Sequence, residues 1–179
     1  LGSGAAYTQW MGEDAAGKIP LPFKFMSLWG VESTFDQGRH RVFAEWADTN
    51  AYSLPWDTKP TFPGYVNGVY RQGYKQGARW VGSAQGSGSQ VLTLGWMDAE
   101  RQRLLKLHTG KVHASVGAYA PGVNAPHGRL LGLAASQVFE WGPVRLTPEL
   151  AWTRLSEGAD QPASKRKDVR VGLAVSVPL

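Results

Sequence analysis

The stretch of this chain with the most chemical potential runs from residue 50 to residue 89. It holds seven aromatic residues and four cations but a single acid, Asp57. Aromatic rings can stack against the apolar C–H faces of sugars, and arginine binds carboxylates or phosphates through two parallel hydrogen bonds. The alternative is that the aromatic side chains pack the loop onto itself or plug the interior of the fold. The predicted ligand-binding residues of this stretch are Trp56, Tyr65, Tyr70, Arg71, Tyr74, Lys75, Arg79 and Trp80.

Two adjacent carboxylates, Glu13 and Asp14, form a second candidate site. Acid–base cleavage of a glycosidic bond needs two carboxylates at a defined separation across the sugar, which neighbours in sequence do not set. They can instead bind a hard cation or pair with Arg71, Lys75 or Arg79. We expect both residues in an outer loop and add them to the predicted ligand-binding set.

No other group of residues has the spacing of a catalytic or metal site. The four histidines are scattered, and the chain has neither a cysteine nor a Gly-x-Ser-x-Gly motif. The glycine-rich run at 82–88 lacks the Gly-Lys-Ser/Thr ending of a phosphate-binding loop, so it is predicted to be a flexible connection. We therefore predict a protein without catalytic residues, metal or cofactor.

The composition favours a β-protein that faces lipid. Charged residues make up 18% of the chain, below the roughly 25% of soluble domains, and 22 of 179 residues are glycine. No run of about 20 apolar residues is present, which excludes a membrane-spanning helix. The net charge of +5 comes from scattered residues with one short run at 165–167, so nucleic acid is not a predicted partner.

Alternation of apolar with polar or small residues predicts an all-β, antiparallel fold. The clearest case is the C-terminal stretch, in which Val169, Val171 and Leu173 alternate with Arg170 and Gly172. We predict eight strands, at about residues 1–11, 23–33, 39–49, 90–97, 102–112, 129–141, 144–155 and 169–179.

The connections between these strands alternate between long and short. The long ones are 12–22, 50–89, 113–128 and 156–168, and the short ones are 34–38, 98–101 and 142–143. Outer-membrane β-barrels have short periplasmic turns and longer extracellular loops. We therefore predict a transmembrane barrel with an outer loop at 50–89 and with the basic run 165–167 at an outer loop tip, where it can meet anionic lipopolysaccharide or capsule or be merely solvated. Tryptophans near strand ends are typical of the two membrane interfaces.

Several blocks resemble a known family. The runs at 12–14, 22–26 and 43–49, followed by Gly68-Val69-Tyr70-Arg71-Gln72-Gly73-Tyr74 and by 81–83, are similar in order and spacing to the Wzi family of capsule-assembly outer-membrane proteins. The resemblance implies a larger outer-membrane barrel, of which residues 1–179 would be a single β-barrel region near the C-terminus. It also implies non-catalytic, lectin-like retention of capsular or extracellular polysaccharide at the cell surface.

Three other functions stay open at this point. The leading alternative is a pore or transporter-type barrel that passes small solutes through a polar interior lined by Arg145 and Glu149. A membrane-embedded hydrolase lacks a catalytic constellation. A soluble β-sandwich gives no reason for the long connections to lie at one end.

Overall fold

Eight long strands dominate the computed structural model, which describes residues 2–16, 19–53, 62–64, 75–76, 79–80, 86–113, 127–156 and 165–177. None of these residues lies in a helix long and apolar enough to cross a membrane. The elements of the described residues are β1 (Ser3–Ala16), β2 (Ile19–Phe35), β3 (His40–Tyr52), β4 (Phe62–Pro63), β5 (Lys75–Gln76), β6 (Arg79–Trp80), β7 (Gln90–Asp98), β8 (Arg103–His113), β9 (His127–Gln137), β10 (Phe139–Trp141), β11 (Val144–Ser156) and β12 (Lys165–Ser176).

The long strands follow one another across a single antiparallel sheet. Its order is β1-β2-β3-β7-β8-β9-β11, with β12 and β10 paired to β11 and β4 paired to β3. Strands β1 and β12 lie at the two ends of this order and are not paired with each other among the described residues, so the sheet is an open section of a barrel wall. The predicted all-β, antiparallel barrel fold and its eight long strands are confirmed.

The strand register sorts the side chains onto two faces. Because directly opposite residues share a face of a sheet, the register can be followed from strand to strand. One row runs through Val31, Ala44, Leu94, Leu107, Leu133, Trp152 and Val169. The neighbouring row on the other face runs through Tyr7, Gly30, Glu45, Thr93, His108, Gly132, Thr153 and Asp168. We call these the apolar face and the polar face.

Exposure supports the division into two faces. Val171 is 80% exposed and Leu173 64% exposed, although both are aliphatic residues in the middle of a strand. Contiguous exposed apolar residues on one face indicate contact with something other than water. The predicted alternation of Val169, Val171 and Leu173 with Arg170 and Gly172 is thus confirmed as a division between the faces.

At one end of the sheet, tight turns at 36–39, 99–102 and 142–143 join β2 to β3, β7 to β8 and β10 to β11. At the second of them, buried Asp98 accepts a hydrogen bond from the Arg101 backbone N–H and lies 3.6 Å from Nε of Arg39. These contacts hold the pKa of Asp98 below its ordinary value, the hydrogen bond contributing most. This end, the short-turn end, matches the predicted short connections, and the opposite end is called the outer end.

Three predictions about the outer end are wrong. Residues 12–22 do not form a long loop, because β1 continues to Ala16 and β2 begins at Ile19, so Glu13 and Asp14 lie in a strand, with Asp14 opposite Phe23. The basic run 165–167 belongs to β12 and pairs with β11. Residues 50–52 belong to β3. All three have one physical reason, which is that the hydrogen bonds between strands continue beyond the apolar band. Strand β2, for example, has 17 residues, whereas a membrane strand needs only about 9–11.

Candidate functional site

The connection between β3 and β7 is fixed to the outer end of the sheet around one residue, Thr49. Its backbone N–H donates to the Ser89 carbonyl at 2.8 Å, and its own carbonyl accepts from Gly64 N at 2.8 Å and Gly88 N at 3.1 Å. Its hydroxyl donates to the Gly86 carbonyl at 2.8 Å and accepts from Ser89 N at 2.8 Å. The outgoing arm of the connection, at Gly64, and the arm that returns to β7, at 86–89, are therefore joined through one residue, which is only 4% exposed.

A carboxylate network extends this junction. Buried Asp48 accepts hydrogen bonds from the Asn50 backbone N–H at 2.9 Å and from Asn50 Nδ2 at 2.8 Å. Its second oxygen accepts from the Tyr52 hydroxyl and from Gln90 Nε2, each at 2.8 Å. Burial, the hydrogen bond to Asp48 and the Asp48 charge raise the pKa of Tyr52 to about 12, so the phenol remains a donor at neutral pH.

The arm that returns to β7 is buried and has an unusual backbone conformation. Gly86 and Gly88 have φ angles of 78° and 67°, a region that side chains with a Cβ rarely adopt. Residues 86–89 are all buried, and the Ser87 hydroxyl donates to the Gly64 carbonyl. The prediction that 82–88 is a flexible connection is therefore wrong for 86–88, while 82–85 lie outside the described residues. Residues 48–52, 64 and 86–90 together are called the loop anchor.

Beyond the anchor, the connection contains a two-stranded pairing that holds three predicted site residues. In β5 and β6 the register places Lys75 opposite Trp80 and Gln76 opposite Arg79. Directly opposite residues have Cβ atoms about 4.5–5.5 Å apart, so a cation and an aromatic residue are backbone neighbours here. The other predicted residues of this stretch, Trp56, Tyr65, Tyr70, Arg71 and Tyr74, lie outside the described residues.

The carboxylate pair lies at the same end of the sheet. Gly12 is opposite Phe25, and Phe25 is opposite Tyr52 of the loop anchor. Glu13 and Asp14 therefore come one and two residues beyond the row that ends β3. The structure brings this backbone and the start of the 53–89 connection together at the outer end, although not by placing the pair in a loop.

The polar face carries paired side chains away from the outer end. The Tyr7 hydroxyl donates to Glu45 at 2.6 Å, and Thr93 Oγ1 lies 3.0 Å from His108 Nδ1. The Tyr7 ring crosses Gly30 of the intervening strand to reach Glu45. A Cβ on Gly30 would overlap that ring. Among the described residues, no cluster of three or more potential metal ligands occurs.

Comparison with known proteins identifies the family. Residues 4–103 match the family model described as capsule assembly protein Wzi. The chain belongs to the Wzi family. The exposed apolar face fits the lipid-facing wall that the composition predicts.

A solved structure supports the fold. The chain is similar to Wzi, an outer-membrane protein involved in group 1 capsule assembly in Escherichia coli and described as a carbohydrate-binding β-barrel. The TM-score is 0.69 at 22% sequence identity, over 98% of this chain and 38% of that one. The chain therefore spans well under half of that barrel. No curated protein sequence matches the chain at a significant level.

Sequence reasoning missed the loop anchor of this Wzi-family chain. Thr49, Asn50, Ser87 and Ser89 are small polar residues, and the two serines adjoin glycines, a composition that ordinarily indicates a solvated turn. The available signal was the number of such residues at both ends of one long connection, Asp48 to Asn50 before it and 86–89 after it. Their pairing across about 40 positions is not visible in local periodicity.

Proposed function

We propose that this chain binds and retains capsular or extracellular polysaccharide at the cell surface, without catalysis, through the connection between β3 and β7. The observation that carries the proposal is membership of a capsule-assembly family together with a long connection anchored at the outer end of the sheet. Lys75 and Trp80 are register neighbours in that connection. A cation beside an aromatic residue suits an acidic sugar, because charge and ring stacking act on one residue of the polymer.

Retention would result from many weak contacts. A polymer that is held at one sugar presents its neighbours at high effective concentration, so modest contacts combine into firm retention. Loss of one aromatic residue is therefore expected to weaken retention only modestly. Glu13 and Asp14, near the same end, are proposed to contribute through a bound cation or through pairing with Arg71, Lys75 or Arg79.

The loop anchor determines how the proposal should be tested. The Ser87 hydroxyl bonds to the Gly64 carbonyl, so the two arms meet there. Residues 65–85 can be replaced by a short glycine linker in the full-length protein while Thr49, Gly64 and 86–90 are kept. We expect cells with this deletion to release capsule into the medium, and cells with the milder double variant, Lys75→Gln with Trp80→Ala, to release a smaller amount.

The deletion must leave the barrel intact for the result to count. Surface exposure and heat-modifiable migration of the full-length protein should be unchanged. Surface capsule at the level of the unmodified protein, with the deleted barrel present in the outer membrane, would contradict the proposal.

Solute passage is the second candidate, favoured by the polar face. The register places Arg145 and Glu149 on this face, together with Lys106 and the Glu32–Arg41 ion pair. In a conducting barrel, Glu149→Lys should shift ion selectivity in planar bilayers toward anions. A full-length protein that shows no conductance would exclude this candidate and leave polysaccharide retention unaffected.

A further inference from the structure

Among the residues whose side chains the structure describes, four cations lie on the apolar face at the outer end. Alternate residues of a strand share a face, and the register follows that face from strand to strand. Lys111 is opposite Arg129, and Arg154 is opposite Lys167. Arg154 is also opposite Leu131, two residues from Arg129, so the two pairs are adjacent across four neighbouring strands. We call these four residues the rim cations.

The arrangement of the rim cations costs stability by itself. Like charges directly opposite each other on antiparallel strands repel. Among the described residues, no ion pair or hydrogen bond joins a rim cation side chain to an acceptor, and Nε of Arg154 is buried without a partner there. By contrast Arg39, Arg41, Arg145 and Arg170 each pair with a carboxylate. An anion from outside the chain would offset the repulsion of both like-charged pairs.

The surface below the rim cations is apolar. Leu131 lies two positions from Arg129, Trp152 two positions from Arg154, and Val169 two positions from Lys167 on the same face. A groove of about 540 Å³ runs along this face between leucine and tryptophan side chains. Its apolar lining includes Leu94, Trp96, Leu105, Leu107, Leu133 and Trp152. Cations one or two side-chain rows beyond an apolar groove fit a ligand with an anionic head and a hydrocarbon tail.

We propose that the rim cations bind the phosphate groups of lipopolysaccharide, the phosphorylated glycolipid of the outer leaflet, with an acyl chain in the groove below. Arginine is suited to phosphate because its planar guanidinium makes two parallel hydrogen bonds. A soluble polysaccharide is the less suitable occupant, since it has no group for the groove and the site faces the lipid. The proposal concerns a different face of the chain from the polysaccharide site and does not depend on it.

The test compares two charge-matched variants of the full-length protein in mild detergent. Arg129→Gln with Arg154→Gln removes one cation from each like-charged pair. Arg101→Gln with Arg145→Gln removes the same charge from the short-turn end and the polar face, away from the groove. Two lost contacts near a membrane surface correspond to about 30-fold weaker binding. We expect that loss of affinity for purified lipopolysaccharide in the first variant and less than 3-fold in the second.

Further measurements distinguish the occupants. Enzymatically dephosphorylated lipopolysaccharide should bind the unmodified protein as weakly as intact lipopolysaccharide binds the Arg129/Arg154 variant. Arg129→Lys with Arg154→Lys should keep most of the affinity. Without lipid, the Gln variant should unfold at the same temperature as the unmodified protein or a higher one, because repulsion is relieved. Equal lipopolysaccharide binding by both Gln variants, full binding of the dephosphorylated lipid, or a selective loss of polysaccharide binding would overturn the proposal.

Discussion

Replacing Thr49 by valine tests the loop anchor directly. Valine keeps the β-branched shape and the strand conformation but removes the hydroxyl that joins Gly86 and Ser89. The Gly86 carbonyl and the Ser89 N–H then lose a partner in a buried environment, and an unsatisfied buried group costs about 1–3 kcal/mol. We expect the free energy of local opening of the returning arm to fall by about 2 kcal/mol, which corresponds to about a 30-fold larger population of the open form.

The appropriate assay is hydrogen exchange at single amides in the full-length protein. Exchange at Ser89 N–H should accelerate about 30-fold, while amides in the middle of β7 and β8 should be unaffected because the opening is local. Thr93→Val is the matched control, since its hydroxyl contacts His108 away from the anchor. Thr49→Ser, which retains the hydroxyl, should exchange nearly as the unmodified protein does. An unchanged rate at Ser89 in Thr49→Val would refute the role given to this hydroxyl.

Three further predictions concern single residues. Gly88→Ala should lower the free energy of local opening of the returning arm by about 1 kcal/mol, because φ is +67° there. This change would be measured as faster protease cleavage between β3 and β7. The pKa of Tyr52, raised to about 12, gives stability that is complete below about pH 10 and lost as pH rises through about 12, so cleavage should increase over that window. Tyr52→Phe should abolish this increase in cleavage. If the increase persisted in that variant, a group other than Tyr52 would be responsible for it. Gly30→Ala should displace the Tyr7 ring and lower the thermal unfolding temperature, whereas an unchanged temperature would contradict the close approach.

Periodicity was sufficient to predict the faces of the sheet. On β11, Leu150 and Trp152 lie on one face and Glu149 and Thr153 on the other, as the alternation predicts. The reason is physical: each strand in a lipid-facing wall meets hydrocarbon on one side, so every second residue is constrained in the same way.

Strand ends were not predictable by the same signal. Glu13 and Asp14 are charged, and so are the residues at 165–167, yet backbone pairing continues through both segments. Outside the lipid the side chains are no longer restricted to apolar types, so the ladder can extend without leaving a pattern in composition.

The loop anchor depends on contacts between residues far apart in the sequence. Thr49 and Ser89 are neighbours only because β3 and β7 are adjacent in the sheet. For the predicted ligand-binding residues, the residue types alone suggested sugar binding. That Lys75 lies opposite Trp80 is a property of the backbone register, which the composition does not encode.

Direct binding of an acidic capsular polysaccharide to the purified full-length protein is the most decisive measurement. It should be made with and without residues 65–85, the loop anchor being intact in both proteins. Binding should weaken with added salt, because cations contribute, and the affinity should fall at least about tenfold on deletion. Equal affinity for the two proteins would contradict the proposal that the connection between β3 and β7 binds the polymer.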